Sequence, residues 1–299
     1  MPKTSLFAVA VGIIGLAASA SAQGITPGEI FEQVTTTYER LQTYKSEGTI
    51  VSDVDTGAVR MKIETSFSIL LKKPNLYLIS WAQKNPLAGT QDGAVWSDGA
   101  QPYLYMGIMK AYSKMGSDEL ALASAAGISS GATLTIPSLF FSMLKQSSPF
   151  SRLKDAKIEK TEMVGEEECY VISGASTVSK EETFWISKTK HLIVKYARSV
   201  EPNGVGVPVP EGSDADLDDA LRGMGQEVTA ENRKSVREMV NRSQDLLKNA
   251  KMKVSSAETH ARVSSPELSE TDFRFVPPEG TVMKESLFDN VFSGAKEKF

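Results

Sequence analysis

Residues 59–71 read VRMKIETSFSILL, and the alternation in this stretch decides the fold class. Apolar side chains recur at every second position along most of it, whereas polar or charged side chains occupy most of the positions between them. A period of two is that of a β-strand with one face toward an apolar core and the other toward water. The apolar face comprises Val59, Met61, Ile63, Phe67, Ile69 and Leu71. The sequence therefore predicts a long strand with one wet face.

The sequence on both sides of this strand predicts a helix and then a sheet. Ahead of the strand, Thr26-Pro27-Gly28-Glu29 is a capping box with proline at the first helical position, which predicts one amphipathic helix before the period changes to two near Tyr44. Short turns join the later strand-like runs and no long helices alternate with them, so the sheet should be antiparallel. These runs are at residues 76–81, 94–97, 103–106, near Tyr112, and at 156–164, 169–173, 183–187, 192–197, 258–263 and 273–276.

One segment without charged side chains interrupts the strands. Residues 120–144 are long enough for a membrane helix on length alone. The segment is, however, cut by Gly127, Gly131 and Pro137, which favours two short helices, at about residues 118–126 and 137–145. Because these helices would carry no charge over most of their length, we expect them to lie against another apolar surface.

A second interruption runs over about residues 201–257. It begins with a segment rich in proline and glycine, continues with an acidic stretch, and then shows helical spacing. The residues at helical spacing are Val236, Met239, Val240, Ser243, Leu246 and Leu247. We interpret the segment as a helical insertion between two strands of a single domain at residues 23–299.

The first 22 residues have the three parts of a secretory signal. Lys3 supplies the positive start, residues 6–18 form an apolar core that is too short to span a bilayer, and Ala20-Ser21-Ala22 is a small-x-small cleavage site. Cleavage after Ala22 is predicted, and Gln23 stands where a lipoprotein would need cysteine. We therefore expect an exported, soluble protein without stable membrane insertion.

Composition and residue spacing argue against several kinds of site. The net charge of −4 gives no electrostatic attraction to nucleic acid or to an anionic membrane. The two histidines lie far apart, so no metal site is predicted, and no phosphate-binding loop supports a cofactor. Asp214, Asp216 and Asp218 have the spacing of a calcium loop, but the positions that need glycine and glutamate hold Asp219 and Gly225. The single cysteine, Cys169, excludes an internal disulfide and is interpreted as a buried, inert thiol.

Gly127-Ile128-Ser129-Ser130-Gly131 matches the G-x-S-x-G pattern of a serine hydrolase. That motif requires an apolar strand before the serine and a helix after it, whereas an alanine-rich helical stretch precedes Ser129. A helix that ends at Gly127 is the simpler interpretation. We predict no catalytic residue and keep the hydrolase as a minor alternative.

Five stretches resemble the LolA/LolB-like lipoprotein-carrier superfamily, in particular its uncharacterised families of predicted periplasmic proteins. The first stretch is similar to the place where a basic residue, a proline and an aromatic residue begin a strand of the family. The second and third are similar to the family's next hairpin, the fourth to the start of its lid helix and the fifth to the strand after the lid. The stretches are LKKPNLY at residues 71–77, followed by Trp81, WSDG at 96–99, YLY at 103–105, TIPSLF at 135–140 and FWIS at 184–187. The resemblance covers most of residues 26–200 and again 258–280. The gating arginine that the family's carriers have in an early strand has no counterpart that we can identify here.

This resemblance implies a mainly β, α+β fold: an open antiparallel half-barrel with an N-terminal helix, short lid helices and the helical insertion. It implies a non-enzymatic periplasmic protein, of the kind that serves outer membrane lipoprotein sorting, whose concave face holds lipoprotein acyl chains or another lipophilic ligand. The side chains expected to line that cavity are apolar residues of the sheet and the lid. They are Met61, Ile63, Phe67, Ile69, Trp81, Trp96, Tyr105, Leu139, Phe140 and Leu144.

Each of these side chains is also compatible with an ordinary core position. An envelope signalling or scaffold module is therefore the second hypothesis. It would use the same fold to bind a protein partner, with the helices at about residues 201–257 as the contact surface. A co-purifying lipid would favour the carrier, and a cavity filled by side chains would favour the module.

Overall fold

The computed structural model describes residues 24–86, 89–176, 179–201, 214–223, 227–249 and 252–287. The predicted signal peptide and its cleavage site lie outside these residues. Five α-helices are found in the described part: α1 (Pro27–Arg40), α2 (Asp118–Ile128), α3 (Thr135–Phe140), α4 (Asp214–Gly223) and α5 (Ala230–Asn249). Short 3-10 helices lie at Gly107–Met109, Ser142–Ser147, Pro149–Arg152 and Glu270–Phe273.

Twelve strands of the described residues form one sheet. The strands are β1 (Thr43–Asp55), β2 (Arg60–Lys72), β3 (Leu76–Asn85), β4 (Gly89–Asp98), β5 (Pro102–Met106), β6 (Ala111–Lys114), β7 (Lys154–Val164), β8 (Glu167–Ala175), β9 (Glu181–Ser187), β10 (Ile193–Val200), β11 (Lys253–Ser264) and β12 (Val282–Met283). Their order in the sheet is β12-β6-β5-β4-β3-β2-β1-β11-β10-β9-β8-β7. All neighbours pair antiparallel except β12 and β6. The predicted open antiparallel sheet with a few helices is thus confirmed.

The predicted alternation in β2 is present in the structure. Thr65, Phe67, Ile69 and Leu71 are buried on one face, which we call the inner face because the helices pack against it. Met61 and Ile63 point to the same face but are only half-buried. Val59 precedes the strand and is 50% exposed, so its assignment to the buried face is wrong.

Helix α1 begins as predicted. Thr26 and Glu29 form both hydrogen bonds of the capping box, which satisfies two of the amide groups that a helix start leaves free. Ile30, Val34 and Tyr38 recur at helical spacing and are fully buried in the core on the inner face. The Tyr38 hydroxyl accepts a hydrogen bond from the backbone of Ile193 and so joins α1 to β10.

The uncharged segment folds into short helices, as predicted. We call residues 118–147, which comprise α2, α3, the 3-10 helix Ser142–Ser147 and the residues that connect them, the lid, since they cover the inner face. Helix α2 continues through Gly127, and the residue that caps it is Ser129, not Gly127 as expected. The second lid helix begins at Thr135 and is shorter than predicted. Among the described residues, no helix has both the length and the apolar character needed to cross a membrane.

The opposite, outer face carries an aromatic cluster where β4, β5 and β6 meet. The Trp96 and Tyr103 rings are stacked with centroids 5.1 Å apart, and Phe275 lies 4.9 Å from Trp96 and 5.3 Å from Tyr105. The strand predicted at residues 273–276 is wrong, because Phe273 ends a 3-10 helix and the chain then crosses this cluster without strand pairing. The strand in this region is β12, which the sequence did not indicate.

Helices α4 and α5 lie in the chain between β10 and β11, within the segment interpreted as a helical insertion. They share a small core of Leu217, Leu221 and Val236, separate from the main core. Strand β11 begins at Lys253, so the sheet resumes before residue 257.

Candidate functional site

The inner face beneath the lid is filled by side chains. Ile136, Phe140 and Phe141 of the lid are at most 1% exposed and pack in the same core as the sheet residues. The structure brings six of the residues predicted to line a ligand cavity into this core. They are Phe67, Ile69, Trp81, Leu139, Phe140 and Leu144.

Two rings in this core lie over glycine residues of neighbouring strands. In the register of the sheet, Phe67 is opposite Gly48 of β1 and Trp81 of β3, and Trp81 is opposite Gly93 of β4. A Cβ at Gly93 would lie 2.3 Å from the Trp81 ring, closer than any side chain permits. The two glycines therefore provide the space for the rings of Phe67 and Trp81.

Four predicted lining residues lie elsewhere. Trp96 and Tyr105 belong to the cluster on the outer face, on the far side of the sheet from the lid. Met61 and Ile63 point to the inner face near the end of β2, where they remain half-exposed. The structure therefore does not bring all ten residues together around one space.

A small cleft remains where the lid meets the sheet. Its volume is about 140 Å³, whereas pockets for drug-sized ligands usually have about 300–1,000 Å³. Polar side chains and a few apolar ones line it. The lining residues are Ile50, Ser130, Gly131, Leu134, Thr135, Ser138, Pro149, Arg152, Tyr196, Arg198, Ser256 and Glu258. No sequence pattern indicates this cleft, because its lining comes from distant segments of the chain.

Hydrogen bonds join the lid to the sheet around this cleft. Thr135 of α3 donates to Oε2 of Glu258 on β11 at 2.9 Å. Ser130, between α2 and α3, lies 2.9 Å from the Thr65 hydroxyl and accepts from Gln83 Nε2 at 3.0 Å. Glu258 and Thr65 are almost fully buried, so these bonds also satisfy polar groups that water cannot reach.

Glu258 also approaches His260 on the same strand. Oε1 of Glu258 lies 3.0 Å from Nε2 of His260, within ion-pair distance, although the angles are not those of a hydrogen bond. On its other side His260 is 3.4 Å from the Ser46 hydroxyl and packs edge-on against Phe67. The histidine is therefore held inside the core on the inner face.

Ser129 lies at the end of α2. It is fully buried, and its hydroxyl lies 3.5 Å from the Ala126 carbonyl oxygen. A hydrolase would also need a histidine as its base. His191 belongs to the turn between β9 and β10, and His260 contacts Glu258 and Ser46. A hydrolase nucleophile lies in a turn between a strand and a helix, whereas Ser129 lies at the end of a helix.

The other candidates singled out by their residue type have structural partners. Asp218 pairs with Arg233, and Asp214 pairs with Arg237. The Arg233 guanidinium keeps the pKa of Asp218 below its usual value. Cys169 is buried as expected, and burial raises the pKa of its thiol to about 11. Within the described ranges, no group of three potential metal-ligating side chains is found.

Similarity to known proteins is found among solved structures. No protein-family model matches the chain, and no curated protein matches it. The chain is similar to LprF from Mycobacterium bovis, with 8% identity, a TM-score of 0.39, and coverage of 85% of this chain and 96% of the other. A LolA superfamily protein from Nitrosomonas europaea has 9% identity, a TM-score of 0.31 and coverage of 84% and 99%.

The MucA/MucB complex of Pseudomonas aeruginosa is also similar, with 8% identity, a TM-score of 0.29 and coverage of 83% of this chain and 60% of the other. The similar structures thus include a member of the superfamily that the sequence motifs resemble. At these identities and TM-scores, the likeness assigns neither a ligand nor a partner to this chain.

Proposed function

We propose that this protein is an exported, non-enzymatic binding protein that holds a lipophilic ligand between the sheet and a displaced lid. One observation carries the proposal: apolar lid side chains occupy the space on the inner face of an open sheet. Side chains that fill the inner face agree with the protein-binding module if the lid stays closed, so the carrier function requires the lid to be displaced. The open sheet permits this, since another apolar group can take the place of the lid without rebuilding the strands.

Such an exchange gives up the contacts of the lid, including the apolar burial of Ile136 and Phe140, in return for those of the ligand. Hydrogen bonds from the lid to Glu258, Thr65 and Gln83 hold it at the cleft, and each contributes about 1 kcal/mol net. An acyl chain with ten shielded methylenes gains roughly 8 kcal/mol at ~0.8 kcal/mol per CH₂. The chain would cover the same surface that the lid side chains cover when the lid is closed.

The proposal includes export and cleavage after Ala22. A soluble protein that shields acyl chains is useful where lipids or lipoproteins must cross water between two membranes. Sequencing the N-terminus of the protein recovered from the periplasm should give Gln23 as the first residue.

Locking the lid tests the proposal. The Ser130 and Thr65 hydroxyl oxygens are 2.9 Å apart, so the pair Thr65→Cys and Ser130→Cys is close enough for a disulfide of about 2.05 Å. The pair is introduced with Cys169→Ala, which removes the native thiol. We expect the reduced protein to bind a fluorescent NBD-labelled monoacylglycerol and the oxidised protein to lose at least tenfold in affinity.

The single variant Ser130→Cys, under the same oxidant, controls for damage by oxidation. Equal affinity of the oxidised and reduced double variant would contradict the lid mechanism. Absence of binding in the reduced protein, together with no lipid detected by native mass spectrometry of protein from its own envelope, would contradict the carrier function and favour the protein-binding module.

A further inference from the structure

Two arginine side chains line the cleft between the lid and the sheet. Arg152 ends the 3-10 helix Pro149–Arg152, and Arg198 is on the inner face of β10. No carboxylate of the described residues lies within ion-pair distance of either guanidinium. Nε of Arg152 is buried and has no hydrogen-bond partner. A buried donor without a partner is costly, which indicates that it serves a group from outside the chain.

The nearest carboxylates are held by other groups. Glu182, which is opposite Arg198 in the sheet, accepts a hydrogen bond from the Tyr196 hydroxyl at 2.7 Å and one from Ser176. Glu258 accepts from Thr135 and lies beside His260. Two cationic side chains and one anionic side chain line the cleft, and neither guanidinium group is paired with a carboxylate of the described residues, so both can donate to a bound anion.

Tyr196 lies within electrostatic range of both arginine side chains. Its hydroxyl is buried, and burial together with Glu182 raises its pKa, whereas the charges of Arg198 and Arg152 act in the opposite direction. Both guanidinium groups are therefore close enough to act on one hydroxyl group at the cleft. Arginine is suited to such a site because its planar donors match the oxygens of a carboxylate or phosphate.

The cleft has the size of a headgroup and an apolar surface beside it. Its volume of about 140 Å³ is below the roughly 300–1,000 Å³ of pockets for drug-sized ligands, so it suits a carboxylate or phosphate and not an acyl chain. Ile63, Ser52, Ser256 and Arg198 form one cross-strand row of the inner face. The next row is aliphatic and half-buried, and comprises Met61, Val54, Val254 and Val200.

From this arrangement we infer that the cleft binds the anionic headgroup of an amphiphile, with its carboxylate or phosphate between Arg152 and Arg198. The inference rests on the proposed function and specifies the ligand class for it. The acyl chain lies against the apolar inner face, under the lid or along the aliphatic row. A free phosphate ion shares the headgroup's chemistry, so the test must separate the two sources.

The test compares two NBD-labelled lipids with the same chain, a fatty acid and a monoacylglycerol, and adds inorganic phosphate as the free anion. The variants are Arg152→Gln, Arg198→Gln and their combination. We expect the wild type to prefer the fatty acid by at least tenfold. The double variant should lose that preference and keep its affinity for the monoacylglycerol. Each single variant should show a preference between those of the wild type and the double variant. Arg60→Gln is the matched control, because it removes an equal charge from an exposed side chain outside the cleft.

The outcomes separate this inference from the proposed function. Equal binding of both lipids by wild type, or equal loss of both in the double variant, overturns the headgroup site while the carrier function stands. If neither lipid binds but phosphate binds to wild type and not to the double variant, the cleft is a free-anion site and the carrier function fails. Phosphate at millimolar concentration that fails to displace the bound fatty acid supports the amphiphile as the source.

Discussion

Gly48 lies beneath the ring of Phe67, in the middle of the inner face. A Cβ at this position would be 2.2 Å from Cζ of Phe67 and 2.3 Å from the backbone oxygen of Thr259. The ring can rotate only into its packed neighbours, and the backbone oxygen belongs to the adjacent strand. We expect Gly48→Ala to lower the free energy of unfolding by about 2 kcal/mol, measured by urea denaturation.

The matched control for that substitution is Gly28→Ala. Gly28 is exposed in the first turn of α1, and the nearest atom to an added Cβ is 4.0 Å away. Because alanine favours a helix over glycine, this variant should be unchanged or more stable by up to about 1 kcal/mol. Equal effects of the two substitutions would show that the glycine beneath Phe67 is not there to provide space.

At the scale of elements, alternation predicts a strand well only where one face is wet. In β2 the outward positions are charged or polar except Leu70, so the inner face is readable from the sequence. In β4 and β5 both faces are covered, and Trp96 and Tyr105 are buried on one face as Val95 and Leu104 are on the other. Sequence alone could not tell which side these rings take.

The strand predicted at residues 273–276 fails because apolar composition does not by itself produce strand pairing. Phe273 and Phe275 give this segment the composition of a strand, but Phe275 lies over Trp96 and Tyr105 on the outer face, where β4 is already paired with β3 and β5. Phe273 is buried at the end of the 3-10 helix, Phe275 is half-buried, and Val276 is exposed. Apolar composition therefore predicts neither the strand pairing nor the burial of the whole segment.

The pair of helices α4 and α5 is expected to be dispensable for the sheet. Val200, at the end of β10, is the cross-strand partner of Val254 in β11, so a short turn can join the two strands directly. The helices have their own small core of Leu217, Leu221 and Val236. Replacing residues 202–251 by a four-residue turn with Asn-Gly at its centre should shift the thermal midpoint by less than about 4 °C.

Binding of the two labelled lipids to this deletion variant gives a second measurement. Unchanged affinities are expected, because the cleft is lined by the sheet, the lid and the 3-10 helix that follows it. If the deletion variant unfolds cooperatively but no longer binds either lipid, α4 and α5 contribute to the ligand site.

At the scale of the whole molecule, the sequence predicted the sheet and the lid but not the cleft. The helix capping box and the uncharged segment are local signals, and each is read within one stretch of chain. Arg152, in the 3-10 helix Pro149–Arg152, and Arg198, in β10, line the same cleft only after the chain has folded. No local pattern encodes that arrangement, and the missing partner of Arg152 Nε is visible only after folding.

The pH range of stability follows from ionisable groups spread over the whole chain. On the acid side, hydrogen bonds and ion pairs lower the pKa values of exposed carboxyl groups, such as Glu167 beside Lys190 and Asp272 beside Ser269. A carboxyl group with a lowered pKa stabilises the fold above its unfolded pKa and stops doing so as the pH falls through the folded value. Stability should therefore fall below about pH 4.5.

On the alkaline side, burial raises the pKa values of Tyr38, Tyr44, Tyr77 and Tyr196. A raised tyrosine pKa stabilises the fold below the unfolded value of about 10, and that contribution is lost as the pH rises further. We expect a thermal midpoint that is nearly constant from about pH 5 to 9 and falls on both sides. The alkaline fall should coincide with the ultraviolet absorbance change of tyrosinate, since these four side chains ionise only when the core opens. Tyrosinate absorbance that rises fully while the protein remains folded would show that the four hydroxyl groups are accessible to water.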